Sequence, residues 1–526
     1  MADIRLLLLS LISVCGAHRI LVVFPFPSKS HSILGDGVVR HLLNAGNEVT
    51  YITPFPWKDP PAKLTHVDVS STIADFKPSE LLNFTNLIEK KAQVNDHAFV
   101  MKIMLKMAKN VFKIKNVQEF LLDPKQQFDA MIAEWMFSDI YSGLAQIYEC
   151  PYILFTPFEH NTMILSLIDE YPNPAYTPGS LHLGHLPPLD FTARVTELYL
   201  QVRDAIFQRL VFHSSKVSAY DEVIKPILLK LGKPIRSYEE ASSNVSLALV
   251  NTHVSFGYAA RIPWNYIPIG GYHIDTDVKP LPKDLQQLMD NSKNGVIYFS
   301  MGSNLKSKDM PEKLKTSLLQ MFGTLKQTVL WKLEENLQNV PKNVKILQWA
   351  PQPSILNHPN CLLFITHGGL LSTTETIHFG VPVIGVPVFA DQFINVDRSV
   401  AKGFAKRVDL SYSLADDLKL AIQEMIANPM YKQKVKELSQ IYHHRAVSPG
   451  KLLAHEVEHV ILTKGAPHLR SPAFLTPWYQ KLFLDLAAII LTALIVLFVI
   501  VKKIFGLICG KSKTKKDRTG NNKKKN

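Results

Sequence analysis

The sequence predicts an α/β protein: two doubly wound Rossmann-like domains facing a cleft, followed by a C-terminal transmembrane helix. Short runs rich in Val, Ile and Phe alternate with helix-length segments, the alternation lapses across Gly270–Pro282 and then resumes, and one long apolar stretch lies near the C-terminus. At 526 residues, 47% hydrophobic and 20% charged, the chain is too long for one ordinary domain and too apolar to be disordered. Of its net charge of +13, +9 sits in the last 25 residues, so the other 501 carry only +4. A basic tail on a nearly neutral body gives no reason to expect nucleic acid as a partner.

In chain order, Arg5, the apolar Leu6–Val14 and the small residues Cys15-Gly16-Ala17 read as a signal peptide over 1–17. Arg19–Phe24 then predicts a strand, Pro25–Ser30 a loop, His31–Ala45 a helix and Val49–Thr53 a second strand. Phe128–Ala133 and Tyr152–Phe155 repeat the pattern, giving a first domain over 18–274. Val296–Ser300, Val329–Leu333, Val344–Leu347, Leu362–Thr366 and Val383–Val386 predict a second over 285–470. Continuous apolar strands separated by helices argue parallel sheets covered on both faces, with ligands bound beyond the strands' carboxyl ends.

Residues 482–501 are apolar but for Asp485 and Thr492, and about 20 residues suffice to cross the hydrocarbon core. Trp478-Tyr479 before the stretch and Lys502-Lys503 after it suit the two interfaces. The basic tail, 502–526, then lies in the cytosol and the body in the lumen, a single-pass type I arrangement. The terminal Lys523-Lys524-Lys525-Asn526 fits a dilysine signal for retrieval to the endoplasmic reticulum. Asn83 and Asn244 head glycosylation sequons, usable in a lumenal body. Pro472–Leu482, with Phe474, Leu475 and Trp478, is expected to dip into the lumenal leaflet.

Several classes fall away. Cys15, Cys150, Cys361 and Cys509 form no CxxC, and Cys150 and Cys361 are expected as buried free thiols. No G-x-G-x-x-G follows the first strand and no P-loop occurs. His455-Glu456-Val457-Glu458-His459 is a literal zinc-protease motif, but no glutamate follows His459 to complete it, and the segment is expected as an exposed helix. Asp275-Thr276-Asp277 mimics a metal-binding D-x-D but falls in the linker, where solvent exposure is expected.

The chemistry concentrates between Trp349 and Gln392. Leu362–Thr366 is a buried strand ending at His367-Gly368-Gly369, where a helix begins at once, and the first amides of such a helix favour an anion. His367, Ser372 and Thr373 add donors suited to a diphosphate, Glu375 can accept ribose hydroxyls, Trp349 offers a face for a base, and Asp391-Gln392 can grip sugar hydroxyls. These residues resemble the signature of the membrane-bound UDP-glycosyltransferases, the family that includes the animal drug-conjugating enzymes. W-x-P-Q at Trp349–Gln352, the H-G-G turn, Glu375 eight residues past His367, G-x-P at Gly380–Pro382 and Asp391-Gln392 all stand in order, and the resemblance runs from the signal through Phe299–Ser303 to the basic tail.

The resemblance implies the GT-B architecture, a UDP-sugar co-substrate, no cofactor and no required metal. It implies that Trp349 stacks on uracil, Gln352 touches the nucleoside, Ser303, His367 and Ser372 hold the diphosphate, Glu375 binds ribose, and Asp391 and Gln392 hold the sugar. Leu371-Ser372 departs from the Asn-Gly that vertebrate relatives often carry. His31 matches the family's catalytic histidine, and Glu134 falls where the family has an aspartate; the extra methylene predicts a longer or angled bond. Asp129 competes for that role but begins its strand. Imidazole can take a proton near neutral pH, so His31 would deprotonate a hydroxyl acceptor for direct displacement of UDP. Val100–Leu122 is expected as a core helix or as a wall for apolar acceptors. The family further implies small lipophilic acceptors, glucose or glucuronate as the sugar, with glucose favoured, and homo-oligomers. The rival readings are a UDP-sugar-binding membrane protein without turnover and a zinc hydrolase.

Overall fold

The computed structural model describes residues 17–76, 83–91, 96–159, 161–179, 185–257, 260–275 and 277–513. The expected signal segment, all but Ala17, and the terminal lysines lie outside these residues, as does Thr276 of the D-x-D. The first sheet contains β1 (Arg19–Val23), β2 (Glu48–Thr53), β3 (Leu64–Asp68), β4 (Ala130–Glu134), β5 (Tyr152–Thr156), β6 (Val245–Val250) and β7 (Tyr266–Pro268). All neighbours are parallel, in the order β3-β2-β1-β4-β5-β6-β7. The second sheet, also parallel, contains β8 (Val296–Ser300), β9 (Thr328–Lys332), β10 (Val344–Leu347), β11 (Cys361–Thr366), β12 (Val383–Gly385) and β13 (Ala405–Arg407) in the order β10-β9-β8-β11-β12-β13.

Ile20–Val23, Ala130–Ala133 and Val296–Phe299 are buried on both faces, as strands covered by helices must be. Each sheet runs outward from its first strand, then returns to that strand's other side. The reversal lies between β1 and β4 in the first sheet and between β8 and β11 in the second. At such a reversal the flanking loops diverge and leave a crevice at the strands' carboxyl ends. Both crevices are occupied by residues singled out from the sequence.

The two halves do not divide the chain into two simple pieces. The helix Pro449–Leu462 buries Leu453, Val457 and Val460 among Ile20, Val22, Leu34 and Val38, the core of the first sheet. The motif His455–His459 therefore rides on a half-buried amphipathic helix, not on the exposed one expected, and His459 Nε2 meets His468 Nε2 at 3.0 Å. Among the described residues, no three His, Cys, Asp or Glu side chains converge as a metal site. The chain thus passes between the halves twice, and the passages touch: Arg445 Nη1 donates to the Gly270 carbonyl at 2.9 Å. Gly271, at φ 92°, leaves no room for a side chain, because a Cβ there would lie 1.6 Å from the Tyr442 hydroxyl.

The body through Arg470 forms one compact unit and Ser471 onward a second. In the second, short helical turns at Pro472–Leu475 and Trp478–Lys481 precede a helix over Leu484–Lys513. Its stretch Leu484–Ile508, 25 residues of mean hydropathy 3.0, fits a membrane anchor by length and composition. It begins two residues later than the expected 482–501, because Phe483 adopts φ 55° and breaks the turn before it. Cys150 and Cys361 are buried free thiols, and burial pushes both up to about 12. Asn83 is exposed and caps the helix Phe84–Ile88, accepting from Asn86 N at 3.1 Å. Asn244 is half-buried and its sequon partner Ser246 is fully buried inside β6, an environment poorly suited to a bulky glycan.

Candidate active site

At the first reversal, the helix Lys29–Asn44 starts two residues earlier than expected, which puts His31 in its first turn instead of the preceding loop. Glu134 closes β4, 2% exposed, and its Oε1 meets His31 Nδ1 at 2.5 Å. The longer side chain therefore does not lengthen the bond as the aspartate-to-glutamate change predicted. Glu134 Oε2 is buried without a protein partner, so His31 is the group that answers this carboxylate among the described residues. Asp129 accepts from Arg19 N at 2.8 Å before β4 begins, at the other edge of the sheet.

At the second reversal, β11 delivers His367 and the helix Leu370–Phe379 follows without a side-chain cap, so its first amides face the crevice. Gly302, at φ 85° in the loop after β8, must lack a side chain: a Cβ would lie 2.6 Å from His367 Cε1. Burial, with Lys332 nearby, pushes His367 down to about 4, so it is neutral at pH 7 and serves as a hydrogen-bonding group. Gln352 opens the helix Gln352–Asn357 and acts as a hub: its Nε2 donates to Glu375 Oε2 at 2.6 Å and to Ser372 Oγ at 3.0 Å, and its Oε1 accepts from the Tyr298 hydroxyl at 3.3 Å. Burial raises Glu375 to about 7, against the Gln352 hydrogen bond. Asp391, also raised by burial, accepts from Asn395 Nδ2 at 2.9 Å and makes no side-chain cap to its own helix. Gln392 Oε1 accepts from Val388 N and Phe389 N at 2.9 and 3.1 Å, pinning the loop after β12. Trp349 is 62% exposed, with Lys332 Nζ 5.8 Å from its ring centroid.

One cavity of about 690 Å³ joins the two reversals. His31 lines it, as do Ser303, Trp349, Gln352, His367, Ser372, Glu375, Asp391 and Gln392, while Glu134 stands behind His31. The halves also meet directly there, where Ser28 Oγ donates to Asn304 Oδ1 at 2.8 Å. The other end is apolar, walled by Phe26, Phe99, Met104, Met136, Phe137 and Phe158. Val100–Leu122, expected as a core helix or as a wall for apolar acceptors, falls on two helices, His97–Val111 and Lys115–Leu122: Met101 and Leu105 enter the core, whereas Val100, Ile103 and Met104 line the cavity. Asp275, foreseen as merely solvated, is exposed but paired with Arg40 at the cavity rim.

Sequence reasoning missed Lys332, Asn304 and His273. A cation at the carboxyl end of the buried Val329–Trp331 run was a legible sign of Lys332, whose Nζ donates to the Gly302 carbonyl at 2.7 Å. Asn304 and His273 carry no such signal, because only the folded chain brings them to the cleft.

Two facing Rossmann-like sheets with one cavity at their opposed carboxyl ends define the GT-B glycosyltransferase class. The solved glycosyltransferase of kitacinnamycin shares this fold, with a TM-score of 0.53 and 18% identity over 84% of this chain and 98% of that one. The family described as UDP-glucoronosyl and UDP-glucosyl transferase matches residues 20–519, and the chain belongs to it. UDP-glucosyltransferase 2 of Dactylopius coccus is 30% identical over 95% of this chain and 96% of its own length. UDP-glucuronosyltransferase 1A1 of Mus musculus is 30% identical over 92% and 95% respectively. The protein is a UDP-glycosyltransferase, a glucosyl- or glucuronosyltransferase by family, and the reading without turnover is not favoured.

Proposed function

We propose that the enzyme transfers glucose from UDP-glucose to a hydroxyl of small lipophilic acceptors with inversion, giving a β-glycoside. The observation that carries this is the His31–Glu134 pair, 2.5 Å apart, at the same cavity as the donor residues. With Nδ1 engaged by Glu134, His31 has Nε2 left to face an acceptor. The acceptor proton passes to Nε2, the acceptor oxygen bonds to the anomeric carbon, and the bond to the diphosphate oxygen breaks with its electron pair leaving on UDP. Glu134 stabilises the imidazolium. His367, Ser303, Ser372 and the first amides of Leu370–Phe379 receive the charge that develops on the leaving diphosphate. Trp349 stacks on uracil, Gln352 holds Glu375 for the ribose, and Asp391 and Gln392 bind the sugar. The step as drawn uses protein groups alone, without cofactor or metal.

Two observations favour a neutral sugar. Asp391 supplies an acidic group at the sugar end, and the nearby Arg398 is engaged by Glu159. The apolar wall of Phe26, Phe99, Met104 and Phe158 supports the lipophilic acceptor. The anchor helix and the basic tail support a single-pass protein of the endoplasmic reticulum membrane with its body in the lumen, and family resemblance supports a homo-oligomer. The test is transfer by membranes expressing the full chain to a panel of phenols, with UDP-glucose and UDP-glucuronate compared. Glucosyl transfer that His31→Ala abolishes is expected. A preference for UDP-glucuronate would overturn the sugar, full activity in His31→Ala would overturn the base, and UDP binding without any transfer would restore the reading without turnover.

A further inference from the structure

His273 is a buried polar group at the cavity that none of the roles above uses. It is 6% exposed, lines the cavity beside Glu375, and neither ring nitrogen has a hydrogen-bond partner among the described residues. Its Nε2 stands 4.0 Å from Glu375 Oε1. An imidazole buried with both nitrogens unanswered destabilises a fold, yet this one is held firmly in place. The Tyr272 hydroxyl donates to the Leu34 carbonyl at 2.9 Å, His41 Nε2 meets the Tyr272 carbonyl at 2.8 Å, and Arg40 Nη2 donates to the His273 carbonyl at 3.3 Å. These contacts fix the connector against the helix that carries His31. Burial, with Arg40 and His378 nearby, pushes His273 down to about 3, so at neutral pH the ring offers one donor and one acceptor.

The chemistry of a ribose diol identifies what would answer it. Each hydroxyl both donates and accepts, whereas an ionised Glu375 only accepts and the Gln352 amide is already shared between Glu375 and Ser372. A neutral imidazole beside Glu375 supplies the missing donor. We propose that His273 is a ribose-binding residue, gripping the 2′,3′-diol of the UDP-sugar from the connector side while Glu375 accepts from the other hydroxyl. The inference rests on the assignment of Glu375 to ribose.

The test uses the full chain in detergent and measures binding of UDP and of 2′,3′-dideoxy-UDP by calorimetry. His273→Phe is expected to lose about tenfold in UDP affinity, the worth of one hydrogen bond, and to bind the dideoxy nucleotide as the parent does. His273→Asn, too short to reach the diol, should behave alike and serves if the Phe variant does not fold. Equal weakening of both nucleotides, or an undiminished preference for UDP, would overturn the role of His273. Glu375→Gln run in parallel separates the two assignments: if it keeps the full preference for UDP, the ribose assignment itself fails. If it loses that preference while the His273 variants keep it, only the present inference fails.

Discussion

The two sheets each bring a histidine to the crevice where the sheet reverses, but from opposite sides of it and in different surroundings. His31 follows β1, the first strand of its sheet, and His367 follows β11, the strand across the reversal. His31 and His367 both stand at the carboxyl-end crevice where their sheet reverses. His31 is backed by a buried carboxylate, its Nδ1 lying 2.5 Å from Glu134 Oε1. His367 has no carboxylate behind it among the described residues, sits near Lys332, and is held neutral down to about pH 4. In the mechanism proposed above, the first site gains a positive charge during the reaction and the second meets a negative one with neutral donors. Placement follows from topology; the difference in chemistry comes from the residue behind each ring.

Breaking the first site should have the largest effect. His31→Ala is expected to lower kcat about a thousandfold, the middle of the range for a general base, with UDP affinity unchanged by calorimetry. It also leaves the buried Glu134 carboxylate without its partner, so the melting temperature should fall, and adding Glu134→Gln should restore part of that loss. Glu134→Gln alone should lower kcat about a hundredfold; if it leaves kcat intact, the carboxylate does not set the first histidine apart from the second. At the second site, Trp349→Ala should weaken UDP binding by about 1–3 kcal/mol, the worth of base stacking, and leave kcat at saturating donor nearly unchanged.

The pH dependence sharpens the contrast. His367, His253 and His378, each pushed down to about 4 chiefly by burial, and His273, pushed to about 3, stay neutral in the folded chain. The unfolded chain takes up those protons below about pH 6.5. Stability contributed by these four groups is complete above that value and is lost as pH falls toward 4. Glu375, raised to about 7, acts in reverse: it favours the folded state most at low pH and loses that contribution as pH rises through 7. Asp36 and Asp391, also raised by burial, act with Glu375, while His41 and His66, also lowered by it, join the four histidines. Six groups oppose three, so the melting temperature should rise between pH 5 and 6.5. The smallest effect concerns the donor. UDP affinity should increase between pH 6 and 8 with proton release as Glu375 ionises, and the increase should vanish in Glu375→Gln.

Much of this was readable before the fold. The strands that form the centre of each sheet are continuous apolar runs, and the residues proposed to bind the donor, all but Ser303, fall within Trp349–Gln392, so both leave a local mark. The short edge strands β3, β7 and β13 mix polar and apolar residues and leave little pattern. The run Val245–Val250 is as apolar as the central strands, but its Asn-Val-Ser start drew attention to a glycan instead of a buried β6. The return of Pro449–Leu462 to the first sheet and the approach of His273 to Glu375 rest on contacts between distant segments, which no local pattern encodes. For the same reason the partner of Glu134 could be named from a resemblance but not from spacing.

The pair of chain passages, bonded through Arg445 and Gly270 and crowded at Tyr442 and Gly271, has a mechanical consequence. Two tethers placed side by side act as the spine of a book: the leaves can part about that line, while sliding or twisting would tear the spine. Any widening of the mouth between the pages would have to turn about that line, so each closing would return the same residues to the same opposite neighbours.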